Sequence, residues 1–164
     1  MSRYSLFELS KFEFYFEVEE LEELQYRVSF SSSAHFLPAS LLTNDIYEVS
    51  FSKIGDATIS NEEVSEKIKH TISFALTNFV NQNNCPLLFI CDSLDGKEQC
   101  RLRLFRSWYA KLEEKEKYTF EARELYSEAE DFKYYAGLII SIDHENHDQI
   151  LDEFDDPEIF NEKA

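Results

Sequence analysis

The sequence predicts an α+β protein with a mixed, mainly antiparallel sheet of about six strands and two long helices on one face. Several segments alternate apolar and polar residues with a period of two, which is typical of strands with one buried face. Two longer segments repeat apolar residues at intervals of three and four, which is typical of helices packed on a core. The predicted order is three strands, a helix, a strand, a second helix and two further strands.

The first three strands are predicted in the N-terminal third of the chain. Residues 12–18 and 24–30 alternate large apolar side chains with polar ones, and an acidic run at residues 19–23 separates them. Two such segments on either side of a short polar connection predict an antiparallel hairpin. The third strand is predicted to begin at Tyr47 and to end near Gly55, and in it Tyr, Val and Phe alternate with Glu and Ser.

The first long helix is predicted to begin at a capping box formed by residues 60–63. In this box the Ser60 hydroxyl accepts a hydrogen bond from the backbone N–H of Glu63, and apolar residues then recur at helical spacing. The apolar run at residues 87–91 predicts a central strand. A helix of about 20 residues between two strands is long enough for a parallel crossover.

The second long helix is predicted at residues 97–112, followed by strands at 118–122 and 134–142. The whole chain has 164 residues, of which 43% are apolar, so one domain with a sizeable core is expected. We predict a single α+β domain over residues 1–148. An acidic C-terminal tail over residues 149–164 is predicted to be partly helical or frayed.

The net charge of −17 is the most extreme property of the sequence. Such an excess of acid opposes nucleic-acid binding, because phosphate contacts require a surplus of Lys and Arg. We expect instead a protein partner with a basic surface and no membrane contact, while assembly into a homo-oligomer stays open. The three cysteines lack metal-site spacing, and neither a signal peptide nor a membrane-spanning run is evident, so a cytoplasmic location is expected.

Charged residues gather around the bend between the central strand and the second helix. Two aspartates follow the strand, and five of the 16 Lys and Arg residues of the chain fall on the helix. Carboxylates at the end of a central strand are common in ligand sites, and Arg side chains bind carboxylates and phosphates bidentately. The alternative is that these charges cap the helix and pair with neighbouring acids. The candidate ligand-binding residues are Asp92, Asp95, Lys97, Arg101, Arg103, Arg106 and Trp108.

No catalytic motif is evident. The chain has no Gly-x-Ser-x-Gly segment, no cysteine beside a base and only three glycines for a phosphate- or oxyanion-binding loop. His144 and His147 could bind a divalent metal, but they fall in a polar turn where solvated side chains are more common. We therefore predict no catalytic residue, no metal site and no cofactor, which favours a protein that is not an enzyme.

One part of the sequence resembles a known family. The residues that carry the likeness are Ile-Cys-Asp-Ser-Leu-Asp-Gly at 90–96, Arg101, Arg103, Phe105 and Trp108. They are similar to a motif of an uncharacterised bacterial family, one of the numbered domains of unknown function, and the strand at residues 47–51 resembles it too. The resemblance covers roughly the middle third to half of the chain. It implies a bacterial origin and an intact small domain, and it implies no activity or substrate.

Three roles fit these observations. The first is a non-enzymatic protein-interaction module, such as an immunity protein, an antitoxin or an accessory subunit, that covers a basic surface. The second is a small phosphate- or nucleotide-binding domain or enzyme that uses Asp92, Asp95, Arg101 and Arg103. The third is a DNA mimic, which ranks last because the acidic residues are mixed with basic ones.

Overall fold

The structure is a computed structural model that describes residues 2–32, 46–92, 98–127 and 132–155, with side chains described outside 91–102 and 125–134. These residues form one sheet with helices on both of its faces. The strands are β1 (Phe7–Ser10), β2 (Glu13–Glu17), β3 (Gln25–Ser32), β4 (Tyr47–Ile54), β5 (Leu87–Asp92), β6 (Tyr118–Ser127) and β7 (Phe132–Ser141). The helices are α1 (Glu62–Asn83), α2 (Glu98–Ala110) and α3 (His147–Asp155).

The strands lie side by side in the order β1-β2-β3-β4-β5-β7-β6. Every pair is antiparallel except β4 and β5, which run parallel and pair through Tyr47 with Leu87 and Glu48 with Leu88. The predicted α+β class with a mixed sheet is confirmed. In the described residues, however, the sheet has seven strands rather than about six, and there are three helices rather than two. The additional elements are the short strand β1 and helix α3, and α3 lies where the start of the tail was predicted to be partly helical.

The predicted hairpin is formed by β2 and β3. Phe14 lies opposite Val28 and Phe16 lies opposite Tyr26, so the large side chains of both strands share one face. β4 continues the antiparallel arrangement and pairs with β3 along eight residues. The period-two alternation of the sequence therefore reflects one buried face, as expected for such strands.

Helix α1 begins at an asparagine rather than at the predicted serine. The side chain of Asn61 accepts the backbone N–H of Glu63 at 2.8 Å and that of Val64 at 3.4 Å. The predicted capping role of Ser60 is therefore wrong by one residue, although the helix is where the sequence predicts it. The helix ends before Asn84, whose φ of 48° places it in the left-handed region that commonly ends helices.

Helices α1 and α2 pack on the same face of the sheet, and aromatic rings fill much of that core. Phe79 of α1 stacks on Phe30 of β3 with ring centroids 3.8 Å apart. Phe105 of α2 stacks on Phe89 of β5 with centroids 4.5 Å apart. Burial of each such ring contributes about 2–3 kcal/mol, so the many phenylalanines of the sequence serve mainly to hold the helices on the sheet.

Helix α3 packs on the opposite face. Its Ile150 and Phe154 are buried in a second, smaller core with residues of β5 and β7. Near the C-terminal end of α3, Nη1 of Arg123 donates a hydrogen bond to the carbonyl oxygen of Phe154. Helix α3 contains the predicted boundary between domain and tail at residue 148, and residues 156–164 lie outside the described part of the chain.

Strands β1 and β4 keep large apolar side chains exposed on the face that points away from α1. Phe7 is 47% exposed and Ile54 is 42% exposed. Phe7 lies opposite Tyr15, and their rings stack with centroids 5.2 Å apart. The sheet therefore carries a partly apolar surface at its N-terminal end, and exposed apolar patches of this kind commonly mark interaction sites.

Candidate functional site

A groove lies at the end of the sheet where β2 turns into β3. Its volume is about 410 Å³, which is within the usual range for binding sites. Three of its residues are glutamates, and none of the described residues that line it is Lys or Arg, so we call it the acidic groove. The lining residues are Glu17, Val18, Glu19, Leu21, Glu23, Leu24, Gln25 and Ile54.

Backbone geometry shapes the turn that forms one wall of the acidic groove. The backbone N–H of Val18 donates to the carbonyl oxygen of Leu24 at 3.0 Å, and that of Leu21 donates to Val18 at 3.1 Å. Glu23 has a φ of 57°, in the left-handed region. This brings its carbonyl oxygen against Gly55, where an added Cβ would lie only 2.0 Å away.

Gly55 is needed at this position for two reasons. Its φ is 114°, which L side chains rarely adopt. In addition, the contact with the Glu23 carbonyl leaves no room for a side chain. The glycine therefore allows the end of β4 to touch the turn between β2 and β3, and this contact fixes the spacing of the groove walls.

The acidic groove combines exposed carboxylates with an apolar surface. The side chains of Glu17, Glu19 and Glu23 are exposed, whereas Val18 and Leu24 are buried beneath them. Lys and Arg carry a charged head on a long aliphatic stem, so they can pair with such carboxylates while their stems cover apolar atoms. The groove is therefore suited to basic side chains of a protein partner.

Sequence reasoning identified the acidic run at residues 19–23 as the connection between two strands. It also interpreted the run as a solvated face that, together with Leu21, could contact a basic protein partner. The groove also needs Glu17 at the end of β2 and Ile54 at the end of β4, which approach the turn only in the folded sheet. One feature of the sequence could have indicated the groove. Gly55 directly follows a strand, and isolated glycines often mark positions where two backbone segments approach closely.

The candidate site predicted at the strand-to-helix bend is only partly described. Asp92 is the last residue of β5 and pairs with Tyr134 of β7, but its side chain lies outside the described part. Asp95 and Lys97 fall outside the described residues. Arg101 lies in α2, and its side chain is likewise not among those described. The structure therefore shows the strand end and the helix start that would frame this site.

The remaining predicted residues of α2 differ in their surroundings. Arg103 and Arg106 are exposed, and Arg103 takes part in an interaction with another residue. Trp108 is only 4% exposed, and its ring lies 4.2 Å from that of Phe51. Trp108 thus belongs to the core beneath α2, on a different side of the helix from the exposed arginines.

A cluster of acids lies where β6 meets α3. Burial, and then the nearby carboxylate of Asp155, raise the pKa of Glu121. Next to them, Nε2 of His147 lies 2.9 Å from Oγ1 of Thr119, and Nδ1 of His147 lies 2.8 Å from a carboxylate oxygen of Asp148. Both ring nitrogens of His147 are therefore occupied by protein groups.

The second histidine of the predicted polar turn has a separate role. His144 is buried, and its Nδ1 accepts the backbone N–H of Asn146 at 3.0 Å. Within the described ranges, no three His, Cys, Asp or Glu side chains are arranged to hold a metal ion. In the same residues, no helix is long and apolar enough to cross a membrane.

Residues 64–156 match the family of unknown function DUF6169, and this segment is more than half of the chain. The chain belongs to this family. The DUF6169 match contains the motif from residue 90 to Trp108, so the resemblance predicted from that motif is confirmed, while the strand at residues 47–51 precedes the match. No curated protein and no solved structure matches the chain.

The DUF6169 segment divides the candidate residues into two groups. It contains α2 and the strand-to-helix bend that precedes it, and it begins within α1 and ends just after α3. The acidic groove, built from residues 17–54, lies before the matched segment in β2, β3 and β4. The groove and the family motif are therefore features of different parts of the sheet.

Proposed function

We propose that this chain is a non-enzymatic protein-interaction module of the bacterial cytoplasm, of the immunity, antitoxin or accessory type, and that it binds a partner with a basic surface. The acidic groove carries this proposal. It presents three exposed glutamates over an apolar floor, with no Lys or Arg among its described lining residues. Enzymes with phosphate or oxyanion substrates need donors at such a site, and carboxylates cannot supply them.

The charge of the chain supports the same proposal. A net charge of −17 gives a field that speeds the approach of a basic partner. Steering of this kind raises the association rate at low salt and is screened over about 8–10 Å at physiological ionic strength. The groove supplies the local contact. The aliphatic part of a Lys or Arg side chain of the partner can lie on Leu21 or Ile54, while its charged end reaches a glutamate.

The two other roles predicted from the sequence have less support. The ligand-binding alternative depends on Asp92, Asp95, Arg101 and Arg103, and only the last of these has a described side chain. The DNA-mimic role requires acids in continuous rows, and the described surface instead includes ion pairs such as Lys117 with Glu114 at 3.0 Å. Both roles, and assembly into a homo-oligomer, stay predictions.

The proposal is tested with a defined cationic peptide in which Lys and Leu alternate. Titration of the peptide into the isotope-labelled full chain, followed by amide NMR shifts, should locate binding at residues 17–25 and at Ile54. The triple variant Glu17→Gln/Glu19→Gln/Glu23→Gln should weaken binding about tenfold or more at low salt, because each exposed charge pair contributes up to about 1 kcal/mol.

A matched control separates local recognition from net charge. The triple variant Glu116→Gln/Glu145→Gln/Asp152→Asn removes the same number of charges from exposed positions outside the groove. It should bind the peptide within about twofold of the unmodified chain once salt reduces long-range attraction. Equal loss of affinity in the two triple variants would show that only total charge matters, and the groove would then be rejected as the binding site.

A further inference from the structure

A small pocket with basic groups lies where the N-terminal segment, α1 and the end of α2 meet. Its volume is about 20 Å³, which is room for one water-sized group. The lining residues are Arg3, His70, Ser73, Phe74, Thr77, Lys111 and Glu113. We call it the basic pocket, and none of its residues belongs to the acidic groove.

The pocket is held in place by contacts between its three elements. Oγ of Ser73 in α1 donates a hydrogen bond to the carbonyl oxygen of Trp108 in α2 at 2.6 Å. The backbone N–H of Tyr4 donates to Oγ1 of Thr71 at 2.9 Å, which fixes the N-terminal segment along α1. The guanidinium carbon of Arg3 then lies 3.7 Å from the centre of the Phe74 ring. Arg3 is therefore positioned by stacking beside the pocket, and the N–H groups of a guanidinium are strong donors to anions.

His70 provides an unsatisfied hydrogen-bonding group at this pocket. Its Nε2 is buried and has no hydrogen-bond partner in the described part of the chain. A buried polar atom without a partner costs about 1–3 kcal/mol, so it usually indicates a water or a ligand group. Burial, and then the charge of Lys111, lower the pKa of His70. The neutral ring can therefore donate a hydrogen bond in the tautomer with its proton on Nε2.

Basic side chains outnumber acidic ones among the residues that line the pocket. Lys111 pairs with Glu66 at 2.7 Å, and Lys69 lies 3.6 Å from the other oxygen of the same carboxylate. Among the residues that line the pocket there are thus two cations, Arg3 and Lys111, and one carboxylate, Glu113. In a chain with a net charge of −17 such a local excess of cations is unusual, and it favours an anion over a neutral ligand.

We infer that the basic pocket binds one oxyanion group, a carboxylate or a phosphate, through the side chains of Arg3, His70 and Lys111. The small volume admits a single oxygen of that group next to the imidazole, while the rest of the ligand stays at the mouth beside the Arg3 guanidinium. Arg forms paired hydrogen bonds with both kinds of oxyanion, and a Lys ammonium adds a further charge.

The test uses inorganic phosphate and acetate as probes on the full chain. The ring nitrogen signals of His70 are followed by NMR during titration with each salt at constant ionic strength. Saturable shifts with both probes, with phosphate alone or with acetate alone would each support the inference and would identify the chemical group. No saturable shift with either probe would overturn it.

Variants show whether binding depends on the proposed residues. Arg3→Met and Lys111→Met should each weaken binding at least about tenfold, as expected for the loss of a charge-assisted hydrogen bond. Arg27→Met removes the same charge from the opposite face of the sheet, where Arg27 lies 4.0 Å from Glu13, and should leave the affinity unchanged. Equal weakening by Arg3→Met and Arg27→Met would overturn the inference. These measurements do not involve the acidic groove, so their outcome is separate from that of the peptide titration.

Discussion

Gly137 of β7 lies directly against the ring of Phe105 in α2. A Cβ added to Gly137 would come within 2.8 Å of Cε1 and 2.9 Å of Cδ1 of that ring. Real Cβ atoms do not approach other heavy atoms so closely, and the ring has little freedom to move because it stacks on Phe89 and is fully buried. The absence of a side chain at residue 137 therefore sets how closely α2 approaches the sheet.

The substitution Gly137→Ala is expected to lower the free energy of unfolding by about 1–3 kcal/mol, the usual cost of overpacking a core. Denaturant unfolding measures this change. The double variant Gly137→Ala/Phe105→Leu should be less destabilised than the sum of the two single variants, because the smaller side chain relieves the clash. Additive effects would show that the two residues are not coupled.

Substitutions at Ser60 and Asn61 should show which of these two residues caps the N-terminus of α1. Asn61→Ala removes the acceptor of two backbone N–H groups and should lower stability by about 1 kcal/mol. Ser60→Ala should change it by less than about 0.5 kcal/mol, as at ordinary exposed positions. Thermal or denaturant unfolding of both variants gives the comparison, and a larger loss in Ser60→Ala would restore the capping box predicted from the sequence.

The contact between Gly55 and Glu23 is expected to affect both the stability of the protein and the binding of the peptide in the acidic groove. Gly55→Ala forces a strained φ and a clash with the Glu23 carbonyl, so a loss of about 1–3 kcal/mol is expected. The same variant should bind the cationic peptide more weakly while it is still folded, because the groove walls move apart. Circular dichroism verifies folding, and unchanged peptide affinity in a folded but destabilised variant would contradict the role given to this contact.

The pairing of Glu121 with Asp155 predicts a pH dependence of stability. Burial and the neighbouring carboxylate raise the pKa of Glu121 above its ordinary value of 4.5. The protonated form therefore stabilises the folded state fully below pH 4.5, and this contribution is lost as the pH rises through the higher pKa of the folded state. Glu121→Gln, which stays uncharged, should raise stability at neutral pH by about 0.5–1 kcal/mol.

The measurement for Glu121 is urea unfolding at a series of pH values above 4.5. The difference in stability between Glu121→Gln and the unmodified chain should grow with pH and then level off. Glu116→Gln makes the same change at an exposed position and serves as the control for a general reduction of negative charge. A pH-independent difference for Glu121→Gln would mean that the pKa of Glu121 is not raised in the folded state.

Added salt should stabilise the protein. A net charge of −17 opposes compaction through self-repulsion, and moderate salt screens this repulsion. We expect the melting temperature to rise between low and physiological ionic strength, as measured by differential scanning calorimetry. A melting temperature that does not change would show that the charges are compensated locally.

The sequence predicted most of the fold because its patterns are local. The hairpin of β2 and β3, the parallel crossover through α1 and the presence of the last two strands all follow from alternation and helical spacing, whereas the pairing of β6 with β7 was not predicted. Strand β1 was missed because it has only four residues, and its apolar Phe7 and Leu9 are 47% and 48% exposed instead of marking a buried face. Its position is set by pairing with β2, which no local pattern reveals.

The candidate sites were less accessible to sequence reasoning, because they assemble residues that are far apart in the chain. The basic pocket joins Arg3 to His70 and Lys111, and the acidic groove joins Glu17 to Ile54. Trp108 was predicted beside the arginines since it is near them in sequence. Helical geometry turns it to the buried side of α2, where it contacts Phe51.

The parallel junction of β4 and β5 has a mechanical consequence. Only two residue pairs join these strands, against eight between β3 and β4. Under tension applied across the sheet, β4 and β5 should separate first. The force would then act on the packing of α1, whose Phe79 stacks on Phe30 with ring centroids 3.8 Å apart. Helix α1, with a further contact between Trp108 of α2 and Phe51 of β4, thus holds the N-terminal strands against the DUF6169 segment.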